Sequence, residues 1–343
     1  MRIVLIALAL MLLLGGCGAQ SAPVAEEKQP AAEAAEVQPE EVKQPEAPEI
    51  AAEKEAAPAA QGFVVEDGKL HYYVNGEKQT LTPGLCELDG ERYYVLPDGE
   101  TIADHRSEVK ILDGIVCAFG DQSALLPLDE GVQELFGRLY YVEAGGLCPA
   151  AGPLLKEDGL YFVQEDGTLL QDGSEGYLYF GDDGRYTSGD AELDGMIEAL
   201  LESAGADRSD SEGALRTCYV YLRDNYKYLS MEHFAAGSTD WAPGCAGTFL
   251  TMGKGNCYCW AAAFMYCARR LGYQAYAVAG WESNPANEHA WVMIDWPDGE
   301  TYLFDPQLEY AYWYMFPGKP KIDMFKASYA DGLYNNFAYY FPQ

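Results

Sequence analysis

The chain has 343 residues, 49% of them hydrophobic, which is long enough for two or three domains and too apolar for a wholly disordered protein. Its 54 acidic and 22 basic residues leave a net charge of −32, which argues against nucleic acid or an anionic membrane surface as a partner and favours neutral or cationic ones.

Arg2 is followed by an apolar run, Ile3 to Leu14, too short to span a bilayer and of the length of a signal-peptide core. The run ends in Leu14-Gly15-Gly16-Cys17, which resembles the processing box of bacterial lipoproteins. That resemblance implies a signal peptide over 1–17, a lipid on Cys17, and a protein held on the extracellular face of the bacterial cell membrane. An ordinary secretory signal with an incidental cysteine is the alternative. Residues 18–61 then hold ten glutamates, three lysines, six prolines and no aromatic residue. Such a segment is self-repelling and too polar to offset the entropy of ordering, so it reads as a disordered linker. At about 3.1 Å per residue a Pro-rich spacer of this length reaches on the order of 100 Å.

From 62 to 189 the chain repeats. Gly68-Lys69-Leu70-His71-Tyr72-Tyr73-Val74 returns as Gly90 to Val95, Gly137 to Val142, Gly159 to Val163 and Gly176 to Phe180, with a degenerate copy at Gly114 to Phe119. Each unit is an aromatic and β-branched run beside Asn-Gly or Asp-Gly, so Asn75-Gly76, Asp98-Gly99, Asp166-Gly167 and Asp183-Gly184 are expected hairpin turns. One hairpin is not stable alone; the units must stack into an all-β repeat domain. The pattern resembles the β-hairpin repeats of cell-wall-binding and choline-binding proteins. Those repeats build cation cages largely from tryptophan, whereas all six tryptophans here lie at 241 or beyond. The tyrosine pairs therefore either fill a stacked core or present faces to cell-wall carbohydrate.

Helical periodicity begins at 190. Leu193, Ile197, Leu200 and Leu201 share one face over Asp190–Ser203, and Ala214, Leu215, Cys218 and Leu222 share another. Asn225 to Leu229 reads as extended, and Trp241 to Met252 as a short helix broken by Gly253-Lys254-Gly255. A helix follows over Cys257–Arg270, with Gly272 as its stop. Strands are expected at Gln274–Ala279, His289–Asp295 and Thr301–Asp305. Helices followed by antiparallel strands make this region, 190–343, α+β.

Chemistry concentrates at the start of the third long helix. A thiol of pKa near 8.5 needs help to ionise, and Cys257 has two sources of it: the positive end of the helix dipole and a histidine. The free N–H at a helix start is also a ready oxyanion donor. Pairing Trp296 with Glu300 across the turn Pro297-Asp298-Gly299 sets His289 opposite Gln307 and makes Asp305 its diagonal neighbour, within side-chain reach. Cysteine, histidine and aspartate are the inventory of a nucleophile, its base and the orienter of that base. Cys259 competes with Cys257 for the first role, and the glycine spacing favours Cys257.

Gly255-x-Cys257, Trp260-Ala261, Leu271-Gly272-Tyr273, His289-Ala290-Trp291 and Asp305-Pro306 occur in the order found in the transglutaminase-like superfamily, which has a papain-like core. The resemblance covers roughly 190–343. It implies Cys257 as nucleophile, His289 as general base and acid, and Asp305 as orienter, with no cofactor. Trp241 is either a core residue or an indole donor to the oxyanion, as tryptophans are in some relatives. The expected reaction is thioester formation on a peptide or protein substrate at the cell surface, released to water by a cysteine peptidase or amidase or to an amine by a crosslinking transglutaminase. A silent domain serving as wall-binding scaffold is the non-enzymatic alternative. Of nine cysteines, setting aside Cys17 and Cys257 leaves an odd seven, with no CxxC pair to support zinc. They read as small buried hydrophobes.

Overall fold

Positive-φ residue pairs set the hairpins of the N-terminal region. In the computed structural model, which describes residues 59–282, 287–328, 337 and 339–342, β1 (Gly62–Glu66) pairs with β2 (Lys69–Val74), followed by a short β3 (Glu77–Lys78). The next hairpins are β4 (Gly84–Leu88) with β5 (Glu91–Val95), β6 (Glu108–Leu112) with β7 (Ile115–Phe119), and β8 (Gly131–Leu135) with β9 (Arg138–Val142). After them come β10 (Gly152–Leu155) with β11 (Leu160–Val163), and the trio β12 (Gly173–Glu175), β13 (Leu178–Phe180) and β14 (Tyr186–Thr187). The segment expected to be a signal peptide, the expected lipid site Cys17 and nearly all of the linker lie outside the described residues.

The turns differ from the expected ones. Asp67-Gly68, Asp89-Gly90, Asp113-Gly114 and Phe136-Gly137 close the first four hairpins, their first residues at φ 48° to 53° and their glycines at 76° to 86°. In these four hairpins the glycine that opens the aromatic run is thus the second residue of a two-residue turn, whereas Gly159 ends a longer connection and Gly176 is the first residue of its turn. Asn75-Gly76 joins β2 to β3 as expected, but at Asp98-Gly99, Asp166-Gly167 and Asp183-Gly184 the glycine alone has positive φ and the connection is longer. There the aspartate accepts backbone N–H groups just ahead, as Asp98 does from Glu100 at 3.0 Å and Thr101 at 2.8 Å, and the chain still reverses between antiparallel residues, Val95 with Ile102, Val163 with Leu169 and Phe180 with Tyr186.

Stacking follows a rule. The connector after each hairpin bonds back to the hairpin before it: Ile102 N–H to Leu70, Leu125 to Arg92, Cys148 to Gly114 and Leu169 to Leu139, at 2.7 to 2.8 Å. Tyr72 and Tyr94 pass their O–H groups to the turn aspartates of the following hairpins, Asp89 at 2.9 Å and Asp113 at 2.6 Å. Tyr72, Tyr73, Tyr93, Tyr94, Tyr140 and Tyr161 are all buried. Those tyrosines fill the stacked core, while Tyr141 is half-buried and Tyr177 and Tyr179 are exposed.

The second region is built around one helix. α1 (Ala191–Ala204) and α2 (Ser211–Asn225) start at aspartate caps, Asp190 accepting from Glu192 and Leu193 and Asp210 from Gly213. β15 (Lys227–Tyr228), α3 (Ala242–Met252) and β16 (Lys254–Gly255) lead to α4 (Cys257–Arg270), whose residues are buried except Arg269. A helix apolar all round belongs inside. β17 (Gln274–Trp281), β18 (Glu288–Asp295) and β19 (Thr301–Phe304) form the antiparallel sheet beside it. Ala275, Ala277 and Ala279 alternate along β17 and join Ala290 in the core that α4 shares with the sheet, small residues that let helix and strands approach. Beyond β19 come α5 (Pro306–Tyr310) and a π-helical turn over Ala311–Met315. Both sheet edges are closed by single bridges, Trp281 to Tyr340 and Leu303 to Ala327.

The two regions meet through hydrogen bonds. Gln274 of β17 accepts from the Tyr177 N–H at 2.7 Å and donates to the Glu175 carbonyl at 3.1 Å. Asp194 of α1 accepts from Thr187 and Ser188. Residues from Pro58 onward form one compact unit across the compositional boundary at 189.

A buried ion pair fastens α5. Glu309 is fully buried and accepts from Arg223 at 2.6 Å, the Tyr219 O–H at 2.8 Å and the Met324 N–H at 2.8 Å. Truncating one partner strands the other charge, so Glu309→Ala should lose about 3–5 kcal/mol in urea unfolding. A loss below 1 kcal/mol would mean the pair contributes no more than a surface one.

Candidate active site

The loop before α4 is clamped from one side. Lys227–Tyr228 runs parallel to Lys254–Gly255, with Leu229 N–H on the Gly255 carbonyl at 2.8 Å. Gly253 sits at φ 69°, closing α3. Gly255 has no room for a side chain: a Cβ there would lie 2.5 Å from Cys259 Cβ and 2.9 Å from the Phe249 ring. Asn256, fully buried, caps α4 by accepting from Cys259 N–H at 3.4 Å and anchors itself to the Glu232 carbonyl at 2.9 Å. Cys257 is thereby the first residue of the helix, where its N–H lacks an intrahelical acceptor.

The sheet supplies the partners. Val292 pairs with Phe304 and Asp295 with Thr301, and Trp296 N–H meets the Glu300 carbonyl at 2.8 Å, which is the register counted from the turn. The strand stops one residue earlier than expected, at Phe304. Gln307 lies in α5 and not opposite His289, because Asp305 caps that helix, accepting Leu308 N–H at 2.8 Å, with Pro306 at its first position. The other carboxylate oxygen of Asp305 meets His289 Nε2 at 2.6 Å. Asp305 is 0% exposed and His289 6%.

Burial alone would lower the His289 pKa. The Asp305 carboxylate, by charge and hydrogen bond, and then Cys257 in the same two ways, outweigh it and hold the imidazole well above its usual range. The structure therefore brings Cys257, His289 and Asp305 into one electrostatic unit.

The other sequence candidates sit elsewhere. Trp241 is buried, edge-on to Tyr258 at 5.0 Å, and spends its indole N–H on the Ser238 carbonyl at 2.7 Å. With that single donor occupied, Trp241 is a core residue here, not an oxyanion donor. Cys259 lies 3.9 Å from the Met231 thioether and shares a hydrogen bond with Cys245, and it is Cys257 that acts on His289. His233 is exposed and pairs with Glu288 at 3.0 Å. Tyr339, absent from any motif, donates its O–H to Asp305 Oδ2 at 2.6 Å. Thirty-four residues separate the pair, and no spacing in the sequence signals it. The eight described cysteines are free thiols, Cys86 and Cys148 half-buried and the rest buried.

Residues 198–306 match the model of the transglutaminase-like superfamily. A transglutaminase-like domain thus follows the hairpin-rich region. No curated protein matches the chain. Among solved structures, choline binding protein F of Streptococcus pneumoniae, crystallised with a peptidoglycan analogue, is similar at 15% identity over 38% of this chain and 40% of that one, with a TM-score of 0.29. A structure described as a TGase is 18% identical over 40% of this chain and 36% of its own, with a TM-score of 0.30. The choline-binding domain of CbpL from the same bacterium is 18% identical over 38% of this chain and 67% of its own, at 0.22. The chain spans 40%, 10% and 58% of the first three structures it matches, less than two thirds of each.

A histidine whose folded pKa exceeds its unfolded one stabilises the fold when protonated. That contribution is complete below the ordinary value of 6.5 and is lost as pH rises through the folded value. The stability difference between the wild-type chain and His289→Gln, read from urea unfolding, should be largest in mild acid and shrink toward alkaline pH. A difference that grows with pH would contradict an ion-paired imidazolium.

Proposed function

We propose that this chain is a membrane-tethered extracellular thiol enzyme, a cysteine peptidase or amidase that opens peptide or isopeptide bonds through a thioester on Cys257. The observation that carries the reading is the buried histidine held between a carboxylate and the thiol at a helix start. The tether is the lipid expected on Cys17, with the acidic linker giving reach.

In this reading the Cys257 thiolate attacks the substrate carbonyl carbon, and the electron pair of the C=O bond moves to oxygen. The Cys257 N–H, pointing out of the first turn of α4, donates to that oxyanion. His289, protonated, gives its proton to the departing amine as the C–N bond breaks, leaving the thioester. It then takes a proton from water, whose oxygen attacks the thioester, and returns that proton to sulfur as the carboxylic acid leaves. Asp305 keeps the imidazole in one orientation throughout. An amine in place of water would make the same intermediate a crosslink, and the triad does not discriminate between the two acceptors.

Residues 62–189 serve, in the same proposal, to hold the enzyme on cell-wall carbohydrate. Because most of the repeat tyrosines are spent on the core, the binding faces would be clefts between hairpins. One such cleft, of about 490 Å³, is bordered by Lys110, Arg138, Tyr140, Gln164 and Asp166.

Iodoacetamide should label Cys257 in the full detergent-solubilised chain faster than it labels a free cysteine peptide, and Cys257→Ala should lower kcat/KM on peptide substrates about 10⁴- to 10⁶-fold. Labelling no faster than the free thiol would refute an activated nucleophile. Incubation with a dansylated amine and a protein substrate separates the acceptors: covalent dansyl incorporation in place of new carboxyl ends would turn the assignment to transamidation. The inactive Cys257→Ala chain should be retained on purified cell wall, and free passage would leave the hairpins as a spacer.

A further inference from the structure

Asp305 Oδ2 accepts two hydrogen bonds of the same length: 2.6 Å from His289 and 2.6 Å from Tyr339. A carboxylate oxygen divides its charge between its donors, so what the phenol takes the imidazolium does not receive. The other oxygen is committed to the α5 cap at 2.8 Å. Asp305 is fully buried and Tyr339 8% exposed, so bulk water is not a ready substitute for the phenol.

Tyr339 is placed by contacts that do not involve its hydroxyl. Tyr340 exchanges both backbone hydrogen bonds with Trp281, at 2.8 and 3.2 Å, on the open edge of β17. The Tyr339 ring meets Trp291 edge-on at 4.9 Å and lies 6.2 Å from the His289 ring, and Phe341 closes on Trp291 at 5.2 Å. Gly280 makes room for this: a Cβ there would sit 2.6 Å from the Tyr340 carbonyl oxygen and 2.6 Å from the Trp291 ring. The phenol is presented to Asp305 by a backbone pairing and an aromatic stack, which is how a group whose position matters is held.

We infer that Tyr339 is a positioning residue of the thiol site: its O–H fixes the Asp305 carboxylate against His289 and limits how tightly that carboxylate holds the imidazolium. The inference rests on the reading of Cys257, His289 and Asp305 as a working triad. Among the described residues, the titratable groups that act most on His289 are Asp305 and Cys257. Those facing Tyr339 include, among the described residues, Asp305, Glu282 and Tyr219. Burial first, then Asp305 and Glu282, keep the phenol protonated far into the alkaline range, so it remains a donor wherever the enzyme works. The consequence is a tuned proton donor. A carboxylate given wholly to His289 would hold the proton too firmly for transfer to a leaving amine near neutral pH.

The test is the pH profile of Cys257 alkylation by iodoacetamide in the full chain, whose alkaline limb reports loss of the imidazolium proton. Tyr339→Phe keeps the ring and removes the donor, and should move that limb up by about one pH unit. 3-Fluorotyrosine in place of Tyr339 keeps the ring and makes a stronger donor, and should move the limb down. Opposite shifts from one position are not produced by a packing role. If Tyr339→Phe does not fold, the fluorinated chain carries the test alone, and an unmoved limb there overturns the inference. Fast labelling of wild-type Cys257 with a profile that neither replacement moves would also overturn it. Slow labelling of the wild type itself would instead overturn the triad reading.

Discussion

The carboxylate of Asp305 is the constraint on which the second half of the molecule depends. It accepts one backbone N–H that starts α5, the His289 ring and the Tyr339 hydroxyl, while being fully buried. An unpaired carboxylate there would be very costly, and three donors make it tolerable. Each donor comes from a different segment, so satisfying this one group also fixes how α5, β18 and the C-terminal stretch lie on one another. Glu309 repeats the device one helical turn later, drawing on α2 and on Met324. Two buried acids on a five-residue helix thus organise the surroundings of the histidine.

Around the cysteine the governing factor is space more than charge. α4 is enclosed on nearly every side, and its alanines let α3 and the sheet come close. Gly255 cannot take a Cβ, and Asn256 is spent on the helix start and on Glu232. Close packing leaves the helix few alternative positions. The thiol is therefore held by a scaffold fixed by close packing and by the hydrogen bonds of Asn256.

Much of this could be read from residues alone, for identifiable reasons. The range of α4 follows from an Asn cap, an apolar run and Gly272, all local signals. The register of β18 with β19 follows from a short turn that leaves a single way to count. Asp305 was legible as a neighbour of His289, but its mode of arrival was not: an aspartate followed by proline ends a strand and starts a helix with the same two letters. The aspartate-glycine turns reverse the chain where expected, but their type was not legible, because Asp-Gly serves both a two-residue turn with two positive φ values and a longer side-chain turn with one. Tyr339 and the pair of Glu309 with Arg223 escaped because Tyr339 lies 34 residues from Asp305 and Arg223 lies 86 from Glu309, partners chosen by packing, which periodicity does not encode. Trp241 was read as either of two things, and a backbone carbonyl three residues earlier decided between them.

The hairpin stack has a direction. Each connector reaches back one hairpin, and the last hairpin is fastened to the sheet through Gln274. Interactions of this nearest-neighbour kind make stability a property of the array that varies along its length. Among the described residues the hairpin at 62–78 has a stacking neighbour on one side and frays first, while the one at 173–187 borrows the stability of the α+β region. Melting thus runs inward from the end next to the linker. A protease trimming that end would shorten the array unit by unit and leave the thiol site folded.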